Sequence, residues 1–263
     1  MLYYLIYDIM GTEDAAMENT VVTRINSDIL LKEPHGGIRF GTDALLLADF
    51  ALSGTKSGLC VDLGTGSGVI PLLMLAAGSR ADFLGVEIQK EYYLAASENA
   101  LANGFSGRSR VVNADVGDIL SFCASGSASS VVMNPPYMRV DCGRQNDDPL
   151  LSVARREIAG GASSFCRAAS LCLKNGGRLF AVYRPDRIAN LLCSMRENGI
   201  EPKRIRPVVP SEGKKPSLLL AEGVKGASEG VVFEKQFTIY KDGGHRAFSD
   251  GMNAVYKRFD KGE

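Results

Sequence analysis

The run VVMNPPYMRV, residues 131–140, drives an apolar stretch straight into Asn134-Pro135-Pro136-Tyr137. An amide, two rigid rings and an aromatic side chain suit one chemical problem, the alkylation of a planar exocyclic amine. The lone pair of such a nitrogen is delocalised and barely nucleophilic. Two acceptors aimed at its two N–H bonds favour a tetrahedral nitrogen and localise the lone pair. Asn134 Oδ1 can be one acceptor and the Pro135 carbonyl the other. Each proline fixes its own φ and confines the residue before it to extended conformations, so the acceptors are preorganised in the sense of electrostatic catalysis. Tyr137 offers a ring on which an extruded base can stack. Taken alone, the tetrapeptide is equally a strand-ending turn.

A second group of residues supplies the context. VDLGTGSGV, 61–69, lies between a strand and a helix, and Gly64, Gly66 and Gly68 permit a tight turn with close backbone approach to a ligand. The spacing is GxGxG, whereas a dinucleotide fingerprint would be GxGxxG. Asp62 can touch a ligand or orient the loop. Glu87 closes the next strand, where an acid can accept from both ribose hydroxyls, and Ile88 beside it belongs to the same candidate site. Asp115 closes a third strand, where an acid can accept from an adenine amino group. Singly, these are a turn, a helix cap and a solvated surface acid. At successive strand ends, on the side where open α/β sheets bind ligands, they point to an adenosine-containing cofactor.

The elements that must position these residues are short apolar runs alternating with helical patterns. Strands are predicted at 59–64, 82–87, 110–115, 130–134 and 177–183, and helices at 68–78, 89–103, 163–174 and 185–198. The Asn103-Gly104 pair is a helix-ending signal. Thr42 or Asp43 can cap a short helix, ALLLADFAL. Such alternation implies a parallel sheet with helices on both faces. Two further strands, 204–210 and 216–224, are separated only by SEGKK. A parallel crossover needs a dozen or more residues, so this pair must be antiparallel. Residues 229–241 read as one more extended segment. The expected fold is α/β, with a mostly parallel seven-stranded sheet ending in an antiparallel hairpin.

Lys plus Arg and Asp plus Glu each number 30, so no global charge draws the chain to nucleic acid and any polyanion must be held by a local patch. Arg139 and Arg144, with Arg155 and Arg156, follow the NPPY motif; Lys214 and Lys215 sit on the tip of the terminal hairpin, near Lys203, Arg204 and Arg206. None of the six cysteines forms a CxxC pair and there are two histidines, so no metal site is expected and free thiols in a reducing cytoplasm are the simpler reading. The apolar start is short and interrupted by Asp8, which does not suit a signal peptide or membrane span. Residues 1–18 are expected to be an extension outside the fold. Residues 19–263 are expected to form a single domain, with a cofactor half at 38–137, a substrate loop at 138–156 and a C-terminal sheet half at 157–241.

DLGTGSG, Glu87, Asp115 and Asn134-Pro135-Pro136-Tyr137, in this order, resemble the class I S-adenosylmethionine-dependent methyltransferases, and the terminal antiparallel hairpin is also that family's pattern. The resemblance implies a Rossmann-like fold and S-adenosyl-L-methionine as cofactor. The tetrapeptide is shared by adenine-N6 methyltransferases of DNA and RNA and by glutamine-N5 methyltransferases of release factors. IRFGTDALLLADF (38–50), ARREI (154–158) and residues 184–210 resemble a narrower group, the bacterial adenine-N6 methyltransferases acting on valine tRNA beside the anticodon. That resemblance implies a tRNA partner and places Phe40 and Asp43 near the cofactor, although Asp43 reads equally as a helix N-cap. The glutamine enzymes usually carry a separate N-terminal helical domain, for which too few residues precede the glycine loop. A rRNA or DNA amino-methyltransferase remains an alternative. A cofactor- and RNA-binding module without chemistry is a further one, against which the intact NPPY speaks.

Overall fold

The computed structural model describes residues 20–26, 29–37, 39–135, 149–244 and 246–260, with the backbone alone over 149–160. An antiparallel hairpin opens the described chain, β1 (Thr20–Arg24) and β2 (Leu30–Pro34). There follow α1 (Thr42–Leu52), β3 (Ser57–Leu63), α2 (Val69–Ala76), β4 (Arg80–Glu87), α3 (Lys90–Ala102), β5 (Ser109–Asn113) and β6 (Ala128–Met133). The second half holds α4 (Pro149–Cys172), β7 (Leu173–Tyr183), α5 (Ile188–Glu197), β8 (Ile200–Val209) and β9 (Leu218–Lys225). Two short strands, β10 (Val232–Phe233) and β11 (Phe237–Thr238), and α6 (Asp250–Phe259) complete it.

The main sheet has the order β10-β8-β9-β7-β6-β3-β4-β5, with β11 also on β8. Strands β7, β6, β3, β4 and β5 are mutually parallel, and β9 runs antiparallel between β7 and β8. The loop-length inference of a terminal antiparallel pair therefore holds. Helices cover both faces, over two apolar clusters. One is built from α1, α2 and α6, the other from the Ala162–Cys172 end of α4 and residues of α5. The described cysteines, Cys60, Cys123, Cys166, Cys172 and Cys193, are free thiols.

The structure differs from the sequence reading in several elements, and its main sheet has nine strands rather than seven. The segment 229–241 is not one strand; β10 and β11 add to β8 in two separate pairs. The carbonyls of Ile205 and Val209 face that edge, accepting from Glu234 and Ile239, so Pro207 faces it too and has no N–H to give. Secondly, α4 begins at Pro149 and breaks at Gly161 (φ 58°, ψ −168°), so part of the expected substrate loop is helical backbone. Thirdly, the β1–β2 hairpin was not foreseen. Lastly, α6 was not foreseen either; Ser249 caps it, accepting from the Met252 N–H at 3.1 Å, and Met252, Val255 and Phe259 bury one stripe. The 1–18 extension lies outside the described residues. No described helix is long and apolar enough to cross a membrane.

Candidate cofactor and catalytic site

Register brings the candidate residues to one edge. Leu63 pairs with Val86 on one side and Met133 on the other, so Gly64, Glu87 and Asn134 leave three neighbouring strands at the same level, about 4.8 Å apart per strand. The glycine loop then turns through Gly64 (φ 69°), Gly66 (φ 55°) and Gly68 (φ 79°), a region closed to most side chains. A Cβ on Gly68 would press on Ala96, and one on Gly64 on the Phe165 ring, whereas one on Gly66 would meet nothing within 4 Å. The loop thus packs closely at both ends and faces open space at its middle, as a ligand-cradling loop must.

Two buried acids govern that loop. Glu87 is only 5% exposed, accepting from the Gly66 N–H at 2.8 Å and the Gln89 N–H at 2.9 Å. Burial pushes its carboxyl up, partly offset by backbone donors including Ile88. Asp62 lies fully buried near the end of β3, accepting from Thr65 Oγ1 at 2.7 Å, while its Oδ1 has no partner among the described residues. Burial pushes its carboxyl up to about 7, with the Glu87 charge adding to the rise. The open space at Gly66, beside the Glu87 carboxylate that accepts from its N–H, fits a ligand bearing hydroxyl donors, and S-adenosylmethionine is one.

Asp115 is exposed and caps a 3-10 turn, its Oδ1 accepting from the Gly117 N–H at 2.7 Å, which leaves Oδ2 for a ligand. Three side chains that sequence reasoning missed hold this neighbourhood. Asn113 Nδ2 donates to the carbonyls of Glu87 and Ile88, fixing the turn after β4. Glu33, 2% exposed, accepts from the Phe40 N–H at 2.7 Å and so anchors the segment before α1. Asn99 is wholly buried: its Oδ1 accepts from the Lys32 N–H at 2.8 Å, and its Nδ2 donates to the carbonyls of Lys32 and Ser67, each at 2.9 Å. One amide therefore ties the N-terminal hairpin, α3 and the glycine loop together. The only sequence signal was an asparagine on an otherwise apolar helix face.

Asp43 does not occupy the cap position of α1; Gly41 does, without a side-chain cap bond. Asp43 uses both oxygens as acceptors, Oδ1 from the Ala44 N–H at 2.9 Å and Oδ2 from Asn134 Nδ2 at 3.1 Å. Phe40 is half-buried against the α1–α2 core, and Pro135 is buried directly after Asn134. Tyr137, Arg139 and Arg144 lie outside the described residues, and nothing is described of the side chains of Arg155 and Arg156. Lys214 and Lys215 are exposed on the β8–β9 loop. Tyr183 pairs with Leu219, so that loop stands at the same sheet edge as the glycine loop.

The family model for the methyltransferase small domain matches residues 35–193, spanning the strand ends at Gly64, Glu87, Asp115 and Asn134. The chain belongs to that family. Among curated relatives, the tRNA1(Val) (adenine(37)-N6)-methyltransferase of Mannheimia succiniciproducens is 31% identical over 188 residues, 70% of this chain and 73% of its own. The enzyme of the same name from Porphyromonas gingivalis is 29% identical over 191 residues, 70% of this chain and 74% of its own. A release factor glutamine methyltransferase of Agrobacterium fabrum is 33% identical over 119 residues, only 43% of this chain and 40% of its own. A solved structure described as a "predicted O-methyltransferase" of Agrobacterium tumefaciens superposes with a TM-score of 0.68 at 22% identity, covering 83% of this chain and 97% of that one. That likeness gives the fold of this methyltransferase, the class I arrangement with helices on both sheet faces.

Proposed function

We propose that this methyltransferase transfers a methyl group from S-adenosylmethionine to N6 of an adenine in tRNA, beside the anticodon of valine tRNA. The observation that carries the reading is the Asp43–Asn134 contact at the carboxyl end of β6. A carboxylate only accepts, so Asp43 draws the Asn134 amide to face it with Nδ2 and turns Oδ1 the other way. Asn134 is thereby an oriented acceptor one strand from the glycine loop. Its Oδ1 and the Pro135 carbonyl accept the two N–H bonds of the substrate amine, and Tyr137 stacks the extruded base. Glu87 and Asp115 hold the nucleoside of the cofactor, with the Gly64–Gly68 loop against the rest of it. When bound, the cofactor supplies the methyl on a sulfonium.

The substrate class is supported by relatives of that name over 70% of the chain and by basic residues at the crevice edge. Lys214 and Lys215, with Arg139 and Arg144, are the phosphate contacts in this reading, and the protein works in the cytoplasm, where tRNA is found. Conjugated amides pose the same chemical problem as adenine, and a glutamine methyltransferase is among the relatives, so the test must separate the two. Enzyme and labelled cofactor are incubated separately with bulk tRNA, duplex DNA and a release factor, and the nucleosides of digested tRNA are identified by mass. Label in N6-methyladenosine of tRNA is expected. Label entering the release factor and not tRNA would overturn the substrate and leave the acceptor chemistry standing.

A further inference from the structure

The opposite end of the sheet holds a cavity of about 640 Å³ with no place in the methyl-transfer reading. Its walls come from the end of α1, the starts of β3 and β6, and the facing parts of β7, β8 and β9. Five cations line it, Lys56, Lys174, Arg178, Lys203 and Arg204, against one carboxylate, Glu222. Glu222 is only 3% exposed; it accepts from Arg178 and lies 2.6 Å from Arg204 Nε. That single acid is shared between two guanidinium groups, which it anchors. Arg204 also meets Glu234 at 3.0 Å, and Lys203 Nζ donates to the Ser228 carbonyl at 3.2 Å. Lys56 and Lys174 are exposed and form no ion pair among the described residues. Gly176 has open space where a Cβ would stand, so the cavity is not filled by the chain itself.

We propose that this cavity is a phosphate-binding site, distinct from the crevice at the glycine loop. Strand β3 runs from Ser57 in the cavity wall to Leu63 at the loop, a separation of about 20 Å at the rise of a strand. No ligand of the crevice with the size of a nucleoside reaches it. Glu222 and Glu234 balance Arg178 and Arg204, which leaves the charges of Lys56, Lys174 and Lys203 gathered in one cavity, and an anion relieves their repulsion. The chemistry suits phosphate in two ways. Arg178, held by Glu222 at one end of a largely exposed guanidinium, presents a planar fork that matches phosphate oxygens, Arg204 being taken up by Glu222 and Glu234, and unpaired lysines add adaptable point charges. The phosphate belongs either to a free phosphorylated molecule or to the backbone of an RNA that reaches round the sheet.

The test is calorimetric titration with inorganic pyrophosphate at low salt, comparing the wild type with the double variant Lys56→Gln/Lys174→Gln. Both side chains are exposed, so the variant keeps its fold, which its thermal melt checks, and its affinity for S-adenosylmethionine stays unchanged. Pyrophosphate binding is expected to weaken at least ~10-fold, the equivalent of ~1.4 kcal/mol. Equal affinity in the two proteins, or no binding by the wild type, overturns the site. A second arm compares KM for tRNA: a rise at constant kcat assigns the phosphate to RNA, and an unchanged KM assigns it to a free phosphorylated ligand. The pyrophosphate arm needs no methyl transfer, so its result stands whether or not tRNA proves to be the substrate.

Discussion

Replacing Asp43 by asparagine, a nearly isosteric change, should cost this enzyme most of its turnover. Both carboxylate oxygens accept, one from the Ala44 N–H and one from Asn134 Nδ2, and an amide has only one acceptor oxygen. If that oxygen stays on Ala44, the new NH₂ faces Asn134, which must turn its own oxygen inward and present a donor where the substrate amine needs an acceptor. If it turns to Asn134 instead, the Ala44 N–H faces a donor, at about 1–3 kcal/mol for an unpaired group. The charge-assisted bond that sets the wild-type orientation is worth about 1.5–3 kcal/mol, enough to hold the amide one way by ~10- to 150-fold. Removing a preorganised acceptor costs roughly 10²–10³ in kcat, so Asp43→Asn should approach Asn134→Ala. The double variant should be no worse than Asn134→Ala alone, because the two act as one unit. Single-turnover transfer to tRNA gives the rates, and calorimetry gives cofactor affinity, expected to stay within about threefold. Wild-type turnover in Asp43→Asn would refute the orienting role. A large loss of cofactor affinity at normal turnover would instead make Asp43 a ligand contact.

Three other perturbations test the loop and its supports. Glu87→Gln sets an NH₂ against the N–H of Gly66 or of Gln89, and should weaken cofactor binding at least ~10-fold while speeding hydrogen exchange at Gly66; unchanged affinity by calorimetry would remove Glu87 from the site. For Asp62, held at about 7 in the fold against 3.8 in the unfolded chain, the folded state keeps the proton longer. Its contribution to stability is full below the lower value and is lost as pH rises to the upper one, roughly 4 kcal/mol in all. Asp62→Asn should abolish that fall, and urea unfolding curves that keep the same pH dependence in both proteins would refute it. Asn99→Ala should destabilise the fold by about 1–3 kcal/mol, since the buried Ser67 carbonyl and the part-buried N–H and carbonyl of Lys32 lose their partner, and should loosen the glycine loop; a urea midpoint equal to wild type would refute this tie.

What was legible in the sequence, and what was not, divides along physical lines. Apolar runs such as Leu59–Leu63 and Val131–Met133 read as strands because they are buried on both faces, and the five residues SEGKK fixed an antiparallel pair by loop length alone. The hairpin TVVTR/LLKEP was missed because much of it is exposed and its alternation is weak. Its attachment comes from the buried Ile29 and Leu31 and from Asn99 and Asn103, whose side-chain amides pair with the backbone of Lys32 and Leu30 like a borrowed strand edge. The helix α6 did carry a signal, Ser249 before the stripe Met252, Val255 and Phe259, which the unpromising polar surroundings masked.

The candidate site follows the same division. Residue types and strand-end positions are local properties, and they marked Gly64, Glu87 and Asn134. Which acceptor satisfies which donor is a property of the fold. Asp43 and Asn134 are 91 positions apart in the chain, and Gly66 and Glu87 are 21 apart, so neither pairing can be inferred from spacing. In the proposed mechanism those pairings decide the chemistry, because an amide serves as an oriented acceptor when something else holds its NH₂. A carboxylate in the first turn of α1 does so here. In the proposed mechanism the stretch GTDALLLAD supports the NPPY motif through Asp43. On that view, a change at Asp43 should be felt in the methyl-transfer step before it is felt in binding.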